Sequence, residues 1–400
     1  MATQFVSALA DNALLLVAMA VMTAQGLPAF WIPWLKLMFT LSYVLLGPWV
    51  GVWADRWPKH GVMMAANGVK ALACFAMLLG VNPLMAFALV GVGAAAYAPA
   101  KYGLLTELAK PAQLIVANAW IEISTVCAVL LGVVLGGALV SQAWLTLRVL
   151  PHAWIQVLGE GAYTSSVFLL LCLYVVAGGL NVWVPDSGVR YPPVNWSLRA
   201  VGVAFWQDQK TLWQDPLGGI SLSVTTLFWG VGASLQLIVL AWAQAQLALD
   251  LSQAAYLQAA TAVGVIAGAA LAAKTVALDQ AMKVLPVGVL LGLLLPLMWW
   301  ISDWQTAVLL TALVGVVGGF FVVPMNALLQ HRGVSLLSAG RSIAVQNVNE
   351  NSSILLMMAA YSALLYFHAQ VHVLVGALAA FITLTMGAVV WRHRRQKRLA

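Results

Sequence analysis

The chain has 400 residues, of which 63% are hydrophobic and only 8% charged, and it carries a formal charge of +7. Soluble domains hold about a quarter of their residues as charges, so this composition excludes a water-soluble globule. The excess of positive charge calls for no nucleic-acid partner, because its distribution along the chain accounts for it.

Apolar blocks about as long as the ~20 residues a bilayer requires recur from end to end. They fall near 4–25, 33–54, 61–81, 84–106, 114–140, 162–184, 218–245, 252–274, 284–302, 305–329, 338–367 and 371–391. This predicts an all-α integral membrane protein with twelve transmembrane helices. The block 338–367 is so polar that a hydropathy window nearly misses it. Of the nineteen Lys and Arg residues, all but Lys36 and Arg148 fall on one side of this map or in spans near it. Short loops that retain basic residues lie on the cytoplasmic side, so both termini are expected inside.

The first block, "FVSALADNALLLVAMAVM", holds a carboxylate, Asp11, beside Asn12. An ionisable group within a span costs ~2.5–3.5 kcal/mol on insertion scales, so it should face a cavity, a partner or water. Gln4, Ser7 and Asp11 make one polar stripe at i, i+3 and i+7. The expectation is a cavity wall; the alternative is a helix-packing ion pair, with Lys101 as a candidate partner. Lys70, in the third block, is read as pairing or snorkelling rather than binding ligand.

The loop after the second block reads "GVWADRWPKHG". Gly51 would let neighbouring helices approach, and Asp55, Arg56 and Lys59 could pair across helix ends and bias one access state. Gly, then Asp-Arg, then further basic residues resembles the cytoplasmic signature of the major facilitator superfamily, with Pro58 where a glycine is usual. The fourth block contributes Tyr97 and Lys101 on one face around Pro99. In the fifth, Asn118, Glu122 and Thr125 form another polar stripe.

The sequence repeats itself at an offset of about 225 residues. "LVGVGAAAYAPAKYGLLTEL" at 89–108 resembles "LVGVVGGFFVVPMNALLQHR" at 313–332. "ANAWIEIST" at 117–125 aligns with "VQNVNENSS" at 345–353, setting Asn118 opposite Gln346, Glu122 opposite Glu350 and Thr125 opposite Ser353. Asp11 falls on Gln236. These matches, in one order, predict the parallel six-helix repeat of the major facilitator architecture. The expected organisation is an N-terminal half at 1–184, a linker at 185–217, a C-terminal half at 218–391 and a basic cytoplasmic tail at 392–400. The linker mixes Trp196, Phe205, Trp206 and Trp213 with charges and should form an amphipathic helix on the inner membrane surface. Gly-xxx-Gly spacings at Gly47/Gly51, Gly132/Gly136 and Gly264/Gly268 read as close helix packing.

Carboxylates and a lysine within an otherwise apolar lining suit an amphiphile bearing both a cation and an anion, and would equally suit a lipophilic cationic drug. The segments "SALADNALLL", "GVGAAAYAPAKYGLLTEL", "GGFFVVPMNALLQ" and "AVQNVNENSSILLMM" together resemble the bacterial lysophospholipid transporter family of the major facilitator superfamily. The resemblance implies a flippase that moves lysophospholipids, notably lysophosphatidylethanolamine, to the inner leaflet of the cytoplasmic membrane. There a separate acyl-ACP synthetase/acyltransferase would restore the second chain. Charged family positions present here are Asp11, Lys101, Glu122 and Glu350; on the seventh span, where family members place an arginine, this chain has Gln236. Substrate contacts are therefore expected from Asp11, Asn12, Tyr97, Lys101, Asn118, Glu122, Gln236, Gln346 and Glu350. No cofactor, metal or catalytic residue is expected, and the protein should be a monomer. The rival readings are a proton-coupled multidrug exporter of the same fold and a membrane acyl-transferring enzyme. Against the latter, no histidine is followed four residues on by the aspartate such enzymes use.

Overall fold

The computed structural model describes residues 1–28, 31–147, 161–192, 197–249 and 251–399, so Arg148 and Trp196 of the orientation and linker readings lie outside the described residues. Within a bilayer, backbone N–H and C=O groups find no water, and helices satisfy them internally. Accordingly the described residues are helical almost throughout. The main helices are α1 (Ala2–Ala24), α2 (Ile32–Arg56), α3 (Lys59–Leu78), α4 (Pro83–Leu108), α5 (Leu114–Leu139), α6 (Thr164–Leu180) and α7 (Leu198–Gln214). They continue with α8 (Gly218–Leu247), α9 (Leu251–Thr275), α10 (Leu285–Leu294), α11 (Trp304–Leu336), α12 (Ala339–Tyr366) and α13 (Val371–Leu399). Around α10 the span is built partly of 3-10 turns, Leu278–Val284 and Leu295–Trp299, with Pro286 and Pro296 each early in a segment.

Eleven described helical stretches are long and apolar enough to cross a membrane. Helix α12 is a continuous 28-residue helix yet is not among them, because Arg341, Gln346, Asn347, Asn349, Glu350 and Asn351 dilute its hydropathy. Helix α7 is the amphipathic segment between α6 and α8: it buries Val201 and Leu212 and exposes Val203 (52%) and Trp206 (72%).

By contact the chain forms two compact units. The first takes Met1–Leu108, Cys127–Phe205 and Ser338–Asn347; the second takes Ala109–Val126, Trp206–Leu337 and Val348–Ala400. Each sequence repeat thus lends one short segment to the other unit. In the first, Ala10, Leu14, Val17, Leu35, Cys74, Phe87, Leu170 and Tyr174 form one apolar core. In the second, the larger core runs from Ile220 and Trp242 to Leu378 and Met386. A smaller second-unit cluster explains the lent segment: Leu114, Ile115 and Ala119 of α5 pack with Ala269, Ala272, Val322 and Val323.

The glycine spacings do what close packing requires. A methyl group at Gly132 would sit 2.6 Å from the Leu9 carbonyl oxygen, and one at Gly136 2.9 Å from that of Ala13, so α5 presses on α1 through bare backbone. Gly264 and Gly268 of α9 leave the same space for the Ala312 and Val316 carbonyls of α11.

Candidate functional site

In the first unit the polar stripe of α1 meets α3, α4 and α6. Asp11 does not pair with Lys101: its Oδ2 lies 2.7 Å from Lys70 Nζ. Lys101 instead sets its ammonium 4.1 Å from the centre of the Tyr102 ring. One turn before Asp11, Ser7 Oγ accepts from Lys70 Nζ at 3.1 Å and donates to Asn67 Oδ1 at 2.7 Å. Tyr174 Oη donates to the remaining Asp11 oxygen, Oδ1, at 2.8 Å. The rings of Tyr97 and Tyr174 stand 5.5 and 5.7 Å from the ammonium, within cation–π range. Helical spacing makes this possible, since Ser7 and Asp11 are i, i+4 on α1 while Asn67 and Lys70 are i, i+3 on α3. Lys70 is sealed, with 2% of its side chain exposed, whereas Asp11 keeps 16% accessible. Nearer the start of α1, Thr3 donates to Asn181 Oδ1 at 3.0 Å and to the Ala177 carbonyl at 2.9 Å. Asn12 turns away from this group: its amide bonds back to the Ala8 carbonyl at 2.8 Å, and its Cβ lies where α5 approaches at Gly132.

A second constellation in the same unit gathers the loop after α2 and the start of α12. The Asp55 carboxylate accepts from Ser338 Oγ at 2.5 Å and from the backbone N–H groups of Gly340 at 2.7 Å and Arg341 at 3.1 Å. It therefore caps α12 from another helix, placing negative charge at the positive end of the helix dipole. The approach depends on Gly51, where a Cβ would stand 2.7 Å from Ala344 Cβ and 3.1 Å from Arg341 Cα. Lys59 forms a 2.6 Å ion pair with Glu107 at the end of α4, both side chains almost fully buried. Ser187 donates to Glu107 at 2.5 Å, and the Tyr191 ring lies 5.3 Å from the Lys59 ammonium. The Tyr191 hydroxyl accepts from the Ala339 N–H at 3.3 Å, and burial pushes that phenol up from its ordinary pKa. Arg56 is exposed at the end of α2.

Sequence reasoning singled out Gly51, Asp55 and Lys59 but missed Glu107, Tyr191 and Ser338. Glu107 carried one usable signal, an acid at the end of a span with a basic loop to pair with. Tyr191 and Ser338 carried none.

In the second unit Asn118 and Gln330 form a reciprocal amide pair, donating to each other at 2.8 and 3.0 Å with 4% and 1% exposure. Asn118 also bonds back to the Leu114 carbonyl. Its amide is thus committed to joining α5 and α11. Glu122 and Glu350 are buried in this unit, each 8% exposed. Gln236 is exposed on α8, and its backbone carbonyl accepts from the Gln258 side-chain amide at 2.8 Å. Gln346, 6% exposed, belongs to the first unit with the start of α12. Just ahead of α8, Asp215 receives both Arg332 Nε at 3.1 Å and Nη2 at 2.5 Å. Burial alone would raise the Asp215 carboxyl, but the hydrogen bonds from Arg332 and from the Gly218 and Leu217 N–H groups hold it below its ordinary value.

Long apolar helices with buried ion pairs and amide pairs among them define a multi-pass helical membrane protein. The chain belongs to the major facilitator superfamily: the profile of that superfamily matches residues 1–358. It is 38% identical over 395 residues to the lysophospholipid transporter LplT of Escherichia coli O1:K1, covering 98% of this chain and 94% of the relative. The LplT of Shigella boydii serotype 4 matches equally, at 38% over the same shares. Among solved structures, the transporter FucP in its outward conformation superposes with a TM-score of 0.72 at 12% identity, over 98% of this chain and 96% of its own. The human organic anion transporter MFSD10 gives 0.71 at 13% identity, covering 97% and 98%. These two establish the fold alone.

Proposed function

We propose that the protein is a lysophospholipid transporter, moving lysophospholipids such as lysophosphatidylethanolamine to the inner leaflet of a bacterial cytoplasmic membrane for reacylation. The reading is carried by the near full-length identity to the LplT proteins, 38% over 98% of the chain. The placement of charge is consistent with it. A lysolipid has one acyl chain and a headgroup that bilayer hydrocarbon rejects, so a carrier must offer charge and hydrogen bonds inside an apolar shell. The accessible edge of Asp11 would meet the ammonium, with Lys101 as partner for the phosphate and Glu122 and Glu350 as further acids near the path. Asn12, Tyr97, Asn118, Gln236 and Gln346 would contribute polar contacts, and the acyl tail would stay among apolar helices and lipid. Gly51, Asp55, Arg56 and Lys59 would govern which side is open. On this reading both termini are cytoplasmic, the protein works as a monomer, it performs no acyl transfer itself, and a separate acyltransferase chain consumes what it delivers.

The test is reconstitution of the purified chain in liposomes with labelled lysophosphatidylethanolamine and its two-chain counterpart. Movement of the lysolipid to the opposite leaflet, without the two-chain lipid and without acylated product, is the expected result. No movement of either lipid above protein-free vesicles would remove the proposal.

A further inference from the structure

We infer that Lys70, a residue sealed from any substrate, sets which headgroup charges the transporter accepts, by cancelling the charge of Asp11 from behind. The inference rests on the lysolipid reading above and goes beyond it, because it assigns a selectivity role to a side chain that touches no ligand.

Three observations lead there. Lys70 Nζ is held 2.7 Å from Asp11 Oδ2 and 3.1 Å from Ser7 Oγ, with the Tyr97 and Tyr174 rings 5.5 and 5.7 Å away. Its side chain is 2% exposed against 16% for Asp11, so of the pair only the Asp11 side chain keeps appreciable accessible surface. Finally, α4 packs closely on the lysine stem: a Cβ at Gly93 would stand 2.7 Å from Lys70 Cγ and 2.7 Å from the Ala66 carbonyl oxygen. The glycine leaves room for the lysine stem, whose ammonium ends on Asp11 and Ser7.

The consequence follows from sign and distance. Every lysophospholipid carries a phosphate, which a lone carboxylate in a low-dielectric setting would repel. With Lys70 in place the pair carries no net charge, so a phosphate can draw near while the Asp11 carboxylate, whose oxygens keep further lone pairs, can still accept from an ammonium. Removing Lys70 unmasks a negative charge, which penalises a net anionic headgroup more than a zwitterionic one. Neutralising Asp11 unmasks the positive charge and does the reverse. Lys70 is a positioning residue in this scheme, and only the balance between headgroups exposes its role.

The experiment measures transport of lysophosphatidylglycerol, net anionic, against lysophosphatidylethanolamine, zwitterionic, by the purified full chain in liposomes. In Lys70→Met the anionic-to-zwitterionic ratio should fall on the order of tenfold, about 1.4 kcal/mol. In Asp11→Asn it should rise, and in the double variant Asp11→Asn/Lys70→Met it should return to within about twofold of the unaltered protein. A merely structural role lowers both fluxes together and leaves the ratio flat. Should Lys70→Met fail to accumulate, the rise in Asp11→Asn and its reversal in the double variant carry the same test. Ratios that stay flat, or single variants that shift them in the same direction, overturn the inference while the lysolipid reading stands. No transport of either lysolipid by the unaltered chain removes both.

Discussion

In the first unit helices α1, α3 and α6 are joined by opposite charges, Asp11 and Lys70 with Tyr174, whereas in the second unit α5 and α11 are joined by the neutral amides of Asn118 and Gln330. Both joints lie among apolar helices and both pair polar groups that lipid would leave unmatched. They differ in what happens when one side is lost. An ion pair stripped of one member leaves a charge in a low-dielectric interior, while an amide pair leaves only unmet hydrogen bonds. The charged joint is therefore brittle and electrically informative, and the neutral one is tolerant and silent. It is consistent that the charged joint includes the one group, Asp11, that retains accessible surface.

That contrast can be broken at the charged joint first. Lys70→Ala, which leaves the Asp11 carboxylate with Tyr174 and no cation, should destabilise the protein by about 3–5 kcal/mol, read as a lowered thermal midpoint in detergent. If that variant melts with the unaltered chain, the pair is not holding the helices. The neutral joint should respond more gently: Asn118→Leu leaves Gln330 unmatched at about 1–3 kcal/mol, and Asn118→Leu/Gln330→Leu should recover most of the loss. A double variant as damaged as the sum of the two singles would contradict the silent character assigned to this joint.

A third, partly exposed joint sharpens the scale from below. Asp215 and Arg332 have side chains 7% and 32% exposed, so solvent screening limits the pair to about 1 kcal/mol. The Asp215 carboxyl is depressed in the folded state, and its unfolded reference is about 3.9. Its stabilisation is then complete above about pH 4 and is lost as pH falls through the lower folded value. Asp215→Asn should remove that acid limb from the stability profile and leave the neutral-pH midpoint only slightly lower. An unchanged acid limb would assign it to other carboxylates.

The helices were legible in the sequence because lipid imposes a length and forbids unpaired backbone, which leaves little freedom in one dimension. The polar stripe of α1 was legible for the same reason: Gln4, Ser7 and Asp11 share a face whatever lies opposite. What lay opposite was not. Periodicity orients a side chain on its own helix but does not choose the neighbouring helix, so Lys101 is the candidate partner the sequence offers for Asp11, whereas the fold brings up Lys70. Asn118 shares a predictable stripe with Glu122 and Thr125, but its pairing with Gln330, 212 positions away, leaves no local pattern to read. Glu107 escaped notice because a charge at a span terminus is the commonest kind, and only the fold brings it to Lys59.

Helix α12 has a bearing on biogenesis. With Glu350 near its middle and Gln346, Asn347, Asn349 and Asn351 around it, this segment has a weak claim on the membrane when it leaves the ribosome. Its welcome comes from protein already in place, since Asp55, fixed on α2 long before, waits to receive its first N–H groups. Helix α12 thus depends on an earlier helix for what lipid offers it only weakly, whereas α13 is apolar enough to enter on its own.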